Sequence, residues 1–193
     1  NRIDLQTCTR ILDLGLRFGL ELREQERMFE RGMSLAQHLG DRETAAVMES
    51  LRIRGELSSG RRVGGAMPEV TGASDPESVF QIAFKAVGLG LVEGTLAQAL
   101  AASDGAMELI ERRPGLLTTT PSSVMGAGVR SLVLAYNGRL DEAEELSSRA
   151  LEAARSAGAV EIEGFANVFR SFALLSRGHS QETLRHARRA LEI

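Results

Sequence analysis

Three glycines recur in one register and constrain this chain more than any other feature. Gly94, Gly138 and Gly178 each precede a small or short residue by five positions (Ala99, Ala143, Thr183) and an alanine by twelve (Ala106, Ala150, Ala190). The second copy runs from Asn137-Gly138-Arg139-Leu140-Asp141-Glu142-Ala143 to Arg149-Ala150-Leu151-Glu152. Its echo runs from Arg177-Gly178-His179-Ser180 to Arg189-Ala190-Leu191-Glu192. A fainter copy starts at Gly60, with Gly65 and Gly72 at the two small positions. The anchors are then 34, 44 and 40 residues apart, intervals at which stacked helical hairpins recur.

The spacing has a mechanical reading. A glycine closes one helix because the left-handed backbone conformation there costs a residue with a Cβ more. Positions five and twelve later lie seven apart, about two helical turns, and so share a face; small side chains there let two helices approach closely. The flanking apolar residues keep the same period, with Leu140, Leu146 and Leu151 beside Ala143 and Ala150, and Phe165, Val168, Phe169, Phe172 and Leu175 on the next segment.

The pattern predicts helices over about 4–18, 22–39, 42–58, 76–92, 95–112, 122–137, 140–157, 160–177 and 180–193. Asp41, Asp75 and Ser180 are the expected N-caps. Residues 60–76, with Gly60, Gly64, Gly65, Pro68, Gly72 and Pro76, predict a short helix or an irregular excursion in the weakest repeat. Residues 113–123 read as a loop that lengthens one step, either a plain link or part of a binding face.

Composition agrees. Hydrophobic residues make up 43% of the 193 residues, with 4% aromatics and no Trp, which favours close-packed helices over strands. The expectation is one all-α domain spanning 1–193, read as a fragment of a longer protein because it begins without Met and stops within a helical pattern. A formal net charge of −3 gives no basic stripe for phosphates, so nucleic acid is not expected as a direct partner. The single Cys8 excludes an intrachain disulfide and suits a reducing cytoplasm. No apolar run is long enough to span a membrane, and no signal-peptide pattern opens the chain.

The glycine, the acidic-Ala pair Glu142-Ala143 and the triplet Ala150-Leu151-Glu152 resemble the tetratricopeptide repeat. The resemblance implies a right-handed superhelix, an α-solenoid of about four to five antiparallel helix pairs, one of them degenerate. Steps of 40 and 44 exceed the family's usual 34, and Leu mostly replaces its early aromatic. Through Gly138-Arg139-Leu140-Asp141-Glu142-Ala143 and His186-Ala187-Arg188-Arg189-Ala190-Leu191-Glu192, the chain is similar to the repeat regions of large bacterial ATPase-linked regulators, of the cyclase-linked or maltose-regulator type.

No catalytic constellation emerges, so the chain is not expected to be an enzyme. The only lysine, Lys85, follows no phosphate-binding loop, and Gly88-x-Gly90-x-x-x-Gly94 has neither the spacing nor the preceding strand of a dinucleotide fingerprint. His38, His179 and His186 read as surface histidines, and no metal or cofactor is expected. Glu144, Glu145, Glu161 and Glu163 read as solvated helix faces. Arg185, Arg188 and Arg189 read as a solvated basic face, with an acidic partner as the alternative.

If the family register transfers, counting back from each glycine gives the lining of a concave groove. The positions are Val47, Ser50, Arg54, Leu57 and Ser58; Gln81, Phe84, Gly88, Leu91 and Val92; Met125, Gly128, Leu132, Ala135 and Tyr136; and Phe165, Val168, Phe172, Leu175 and Ser176. The candidate site residues are Arg54, Gln81, Phe84, Met125, Leu132, Tyr136, Phe165, Val168 and Phe172, mainly apolar with Arg54, Gln81 and Tyr136 as polar handles. The expected role is a regulatory scaffold holding a protein, a peptide or another domain of the same polypeptide. A small-molecule sensor is the alternative, and a homodimer through Leu184, Ala187 and Leu191 of the last helix is a further expectation.

Overall fold

The computed structural model describes residues 2–58, 76–113, 115–119 and 121–193. Among them there are helices and no strands. In chain order they are α1 (Arg2–Phe18), α2 (Leu22–Leu39), α3 (Arg42–Ser58), α4 (Pro76–Glu93), α5 (Leu96–Arg112), α6 (Leu116–Thr119), α7 (Pro121–Tyr136), α8 (Leu140–Ser156), α9 (Val160–Ser176) and α10 (Ser180–Glu192).

The small-residue register holds in the copies after Gly94 and Gly138, whereas Thr183 and Ala190 of the last copy are half-buried. Ala99, Ala143 and Ala150 are 0% exposed, and Ala106 is buried with them. Gly94, Gly138 and Gly178 end their helices in the left-handed region, at φ 74°, 77° and 80°. Gly19, Gly40 and Gly158 do the same at three further helix ends that the register does not single out. The Gly60 copy and the 60–76 excursion fall almost wholly outside the described residues, as does the Asp75 cap.

Two local expectations are corrected. The 113–123 stretch is not simply a loop: it carries the one-turn helix α6, and α7 already begins at Pro121, where proline's fixed φ suits a first helical position. Ser180 is the first residue of α10, and His179 occupies the cap position without a side-chain bond. Asp41 does cap α3: the Thr44 N–H donates to its Oδ1 at 2.9 Å.

Packing runs between neighbours. The pairs α1–α2, α4–α5, α7–α8 and α9–α10 each pack face to face, while α1, α3, α4, α7 and α9 form a row in which each helix touches the next. In addition α5 touches α7, and α8 touches α9, so the second helix of a pair also supports the first helix of the following one. The described core falls in two clusters. Leu5, Cys8, Leu12, Met28, Met48 and Leu51 fill α1–α3. Phe80, Val87, Ile110, Val133, Leu146 and Phe169 belong to the larger cluster over α4–α9.

Candidate docking face on the helix row

The helix row positions most of the residues that the register nominates. On α9, Phe165, Phe172 and Leu175 are 44–54% exposed, and Val168 is half-buried among them. On α7, Tyr136 is 64% exposed, and Met125 and Leu132 are half-buried with one side against the core. On α4, Val92 is exposed, and Phe84 and Leu91 lean on the core in the same way. Arg54 and Gln81 belong to α3 and α4, and their side chains lie outside the described residues. Because α4 touches α7 and α7 touches α9, these part-exposed apolar positions occupy three adjoining helices.

Two positions counted into the groove are closed. Ser50 is buried in α3, and Gly128 is buried because the ring of Phe169 lies on it. A glycine at that register position lets the α9 aromatic seat against α7, so this part of the row is packed wall and not open lining.

The row also contains a polar clasp that the sequence reading missed. Arg130 of α7 reaches back to α5: its guanidinium donates to the Leu100 carbonyl at 2.7 Å, to the Ser103 hydroxyl, and to Asp104 Oδ1 at 2.6 Å. Arg170 of α9 repeats the contact on α8, donating to the Glu144 carbonyl at 2.7 Å, Ser147 Oγ at 3.3 Å and Glu144 Oε1 at 3.0 Å. The register shows the signal in retrospect, since each arginine stands eight residues before its glycine and each serine nine after the preceding one. A guanidinium fork suits the job because its several N–H donors can satisfy a carbonyl, a hydroxyl and a carboxylate together.

Three expectations about charged groups change as a result. Glu144 is not a free solvated acid but the acceptor for Arg170 and, at 3.2 Å, for Arg177. Glu163 is largely buried, 3.2 Å from Arg155 and 3.7 Å from Arg189. His186 is half-buried rather than superficial, with Nδ1 2.9 Å from Asn167 Oδ1. The Asn167 amide donates to the Glu163 carbonyl, which leaves its oxygen as acceptor and requires a proton on His186 Nδ1. Burial lowers the His186 pKa, and Arg185, Arg170 and Arg155 push it the same way against Glu182.

Elsewhere, burial draws the Lys85 pKa down while Glu49 of α3 opposes that shift. Cys8 is buried in the first core cluster. Among the described residues, no group of three His, Cys, Asp or Glu is arranged to hold a metal ion, and no helix is long and apolar enough to cross a membrane. Comparison with family models, curated proteins and solved structures finds no match.

Proposed function

We propose that this chain is a protein-binding helical-repeat module, a tetratricopeptide-like right-handed superhelix serving as a regulatory scaffold in a larger bacterial signalling or transcription-regulating protein of the cytoplasm. The neighbour-to-neighbour packing supports the repeat reading: among the described residues no helix packs extensively against one more than three elements away.

One observation carries the functional reading. Positions counted into the groove on α4, α7 and α9 present apolar side chains to solvent, Val92 and Tyr136 two residues before their glycines and Phe172 and Leu175 six and three before theirs, where a helix face without a partner would favour polar residues. An apolar strip with few polar anchors suits an amphipathic helix or an apolar peptide laid across the row, supplied by another protein or by another domain of the same polypeptide. The test is capture of partners by the intact chain and by the Tyr136→Ala/Phe165→Ala variant. Loss of binding in the variant supports the placement, and unchanged capture of every partner contradicts it.

A second reading, a small-molecule sensor, is favoured by a separate cleft of about 610 Å³ between α1, α3 and α4, lined by Ile11, Leu14, Thr44, Val47 and Ser78. Its size is that of ordinary ligand sites, of order 300–1,000 Å³. A metabolite that raises the melting temperature saturably, with the effect lost in Leu14→Arg, supports sensing. No stabilisation at millimolar ligand counts against it.

A further inference from the structure

A chain segment that docks on the helix row loses water from its backbone, and each peptide N–H and C=O stripped of water needs another partner. The described part of the apolar strip offers very few. Among its half-buried and exposed side chains on α4 (Phe84, Leu91, Val92) and α7 (Met125, Leu132, Tyr136), only the Tyr136 hydroxyl is polar. On α9 the Ser176 hydroxyl is turned back on the Phe172 carbonyl at 3.0 Å.

Polar groups beside the strip are already spent. Arg130 and Arg170 are held in the clasps to α5 and α8. At the end of α7 the carbonyls of Val133, Leu134 and Ala135 accept from the N–H groups of Asn137, Arg139 and Gly138. At the end of α9, Leu174 and Leu175 accept in the same way from His179 and Gly178. The exposure is also not confined to an edge of the row. α4 lies between α3 and α7, and α7 between α4 and α9, yet Val92 and Tyr136 are 55% and 64% exposed.

We propose that the strip takes its partner segment as an α-helix and not as an extended peptide, through an uncharged apolar face whose anchors recur about every seven residues. The proposal rests on the docking role of the strip and names the form of the occupant. A helix closes its own backbone hydrogen bonds and loses little on a surface that supplies none; an extended segment would bury unmet amides. Packed helices lie about 8–10 Å apart, and seven residues of helix rise about 10.5 Å and return to nearly the same face, so successive anchors reach Val92 and then Tyr136. A charged face would be desolvated there with no counter-charge. For that reason the outer helices of a second copy fit poorly: Glu108 and Glu111 on α5, and Glu145 and Glu152 on α8, are exposed.

The test is selection from a phage-displayed library of random peptides of about 18 residues, long enough for two anchors and their flanking turns. The intact chain is the target and Val92→Ser/Tyr136→Ser the counter-target; both side chains are exposed, and circular dichroism checks that the variant folds. The expected winners carry apolar residues at i and i+7, with no proline between them and no charge on that face. A labelled winner is expected to gain helical circular dichroism on binding. It should bind at least about tenfold more tightly than its copy with proline midway between the anchors, and at least about tenfold more tightly to the intact chain than to the variant.

Winners that tolerate the proline and carry apolar residues about three apart, the extended spacing for the same span, overturn the helical inference. If the variant still abolishes their binding, docking on the strip stands without it. Enrichment that is equal on the intact chain and the variant, or no enrichment at all, overturns the inference together with the placement. A dimer in sedimentation velocity that Val92→Ser/Tyr136→Ser makes monomeric gives the strip to a second copy and also overturns the proposal.

Discussion

Gly128 of α7 lies directly beneath the Phe169 ring of α9, so that a Cβ at position 128 would come within 2.1 Å of the ring's Cδ2. Phe169 is itself buried, which leaves it little room to retreat. The spacing of two helices in the row is therefore set by the absence of one methyl group. Gly128→Ala is expected to destabilise the chain by about 1–3 kcal/mol through overpacking. Gly126, two residues earlier on α7, is the control: a Cβ there meets Phe80 at an ordinary 3.7 Å. Gly126→Ala is expected to stabilise by about 0.5–1 kcal/mol through helix propensity. Urea denaturation of the two variants measures both signs, and a destabilising Gly126→Ala or a neutral Gly128→Ala contradicts the packing described.

The Arg130 and Arg170 clasps tie the first helix of one pair to the second helix of the pair before it. Removing Arg170 leaves the Glu144 carbonyl without its charged donor, so Arg170→Ala is expected to cost about 1.5–3 kcal/mol. Arg170→Lys is expected to recover less than half of that, because an ammonium on a flexible stem does not reproduce the planar fork. A double-mutant cycle of Arg170→Ala with Ser147→Ala measures the coupling, and strict additivity would mean that the two groups do not act together.

His186 gives the fold a pH dependence of definite sign. Its folded-state pKa is depressed, chiefly by burial, below the ordinary value of about 6.5. The unfolded chain therefore binds the proton more readily, and the contribution is fully present above about pH 6.5 and lost as pH falls through the depressed folded value. Melting temperature is expected to decline as pH drops below about 6.5, before carboxylate titration begins near 4.5, and His186→Asn is expected to flatten that part of the profile. An identical slope in the variant assigns the decline to other groups.

Helix positions were legible because they depend on local chemistry. Glycine at a left-handed helix end and alanine at a close crossing are required by backbone geometry and side-chain size, so Gly138 and Ala143 mark them in any context. The α6 turn was not legible, since Leu116 to Thr119 offers neither the length nor the period of a helix. The arginine clasps and the Asn167–His186 bond join residues 19 to 30 positions apart, and their partners become identifiable only once α5, α8, α9 and α10 are stacked. For the same reason Glu144 and Glu163 resemble solvated acids in isolation, although the packed helices make them ion-pair acceptors. The part-exposed apolar positions on α4, α7 and α9 were legible from the glycine count, but the count did not show that Ser50 is buried or that Phe169 closes the place of Gly128.

The exposed apolar residues of the row should contribute to binding and little to stability. Phe172→Ser and Tyr136→Ser are expected to change unfolding free energy by no more than about 0.5 kcal/mol each, the range for surface positions away from buried contacts. A loss of several kcal/mol on denaturation would place these side chains in the core instead.

Site-specific photo-crosslinking tests the docking face most directly. A photoreactive phenylalanine analogue placed at Phe172, on the α9 strip, is compared with the same group at Glu152, exposed on α8. The docking account predicts covalent capture of a protein or peptide partner from position 172 and none from position 152. Capture from 152 alone, or equal capture from both, would contradict it.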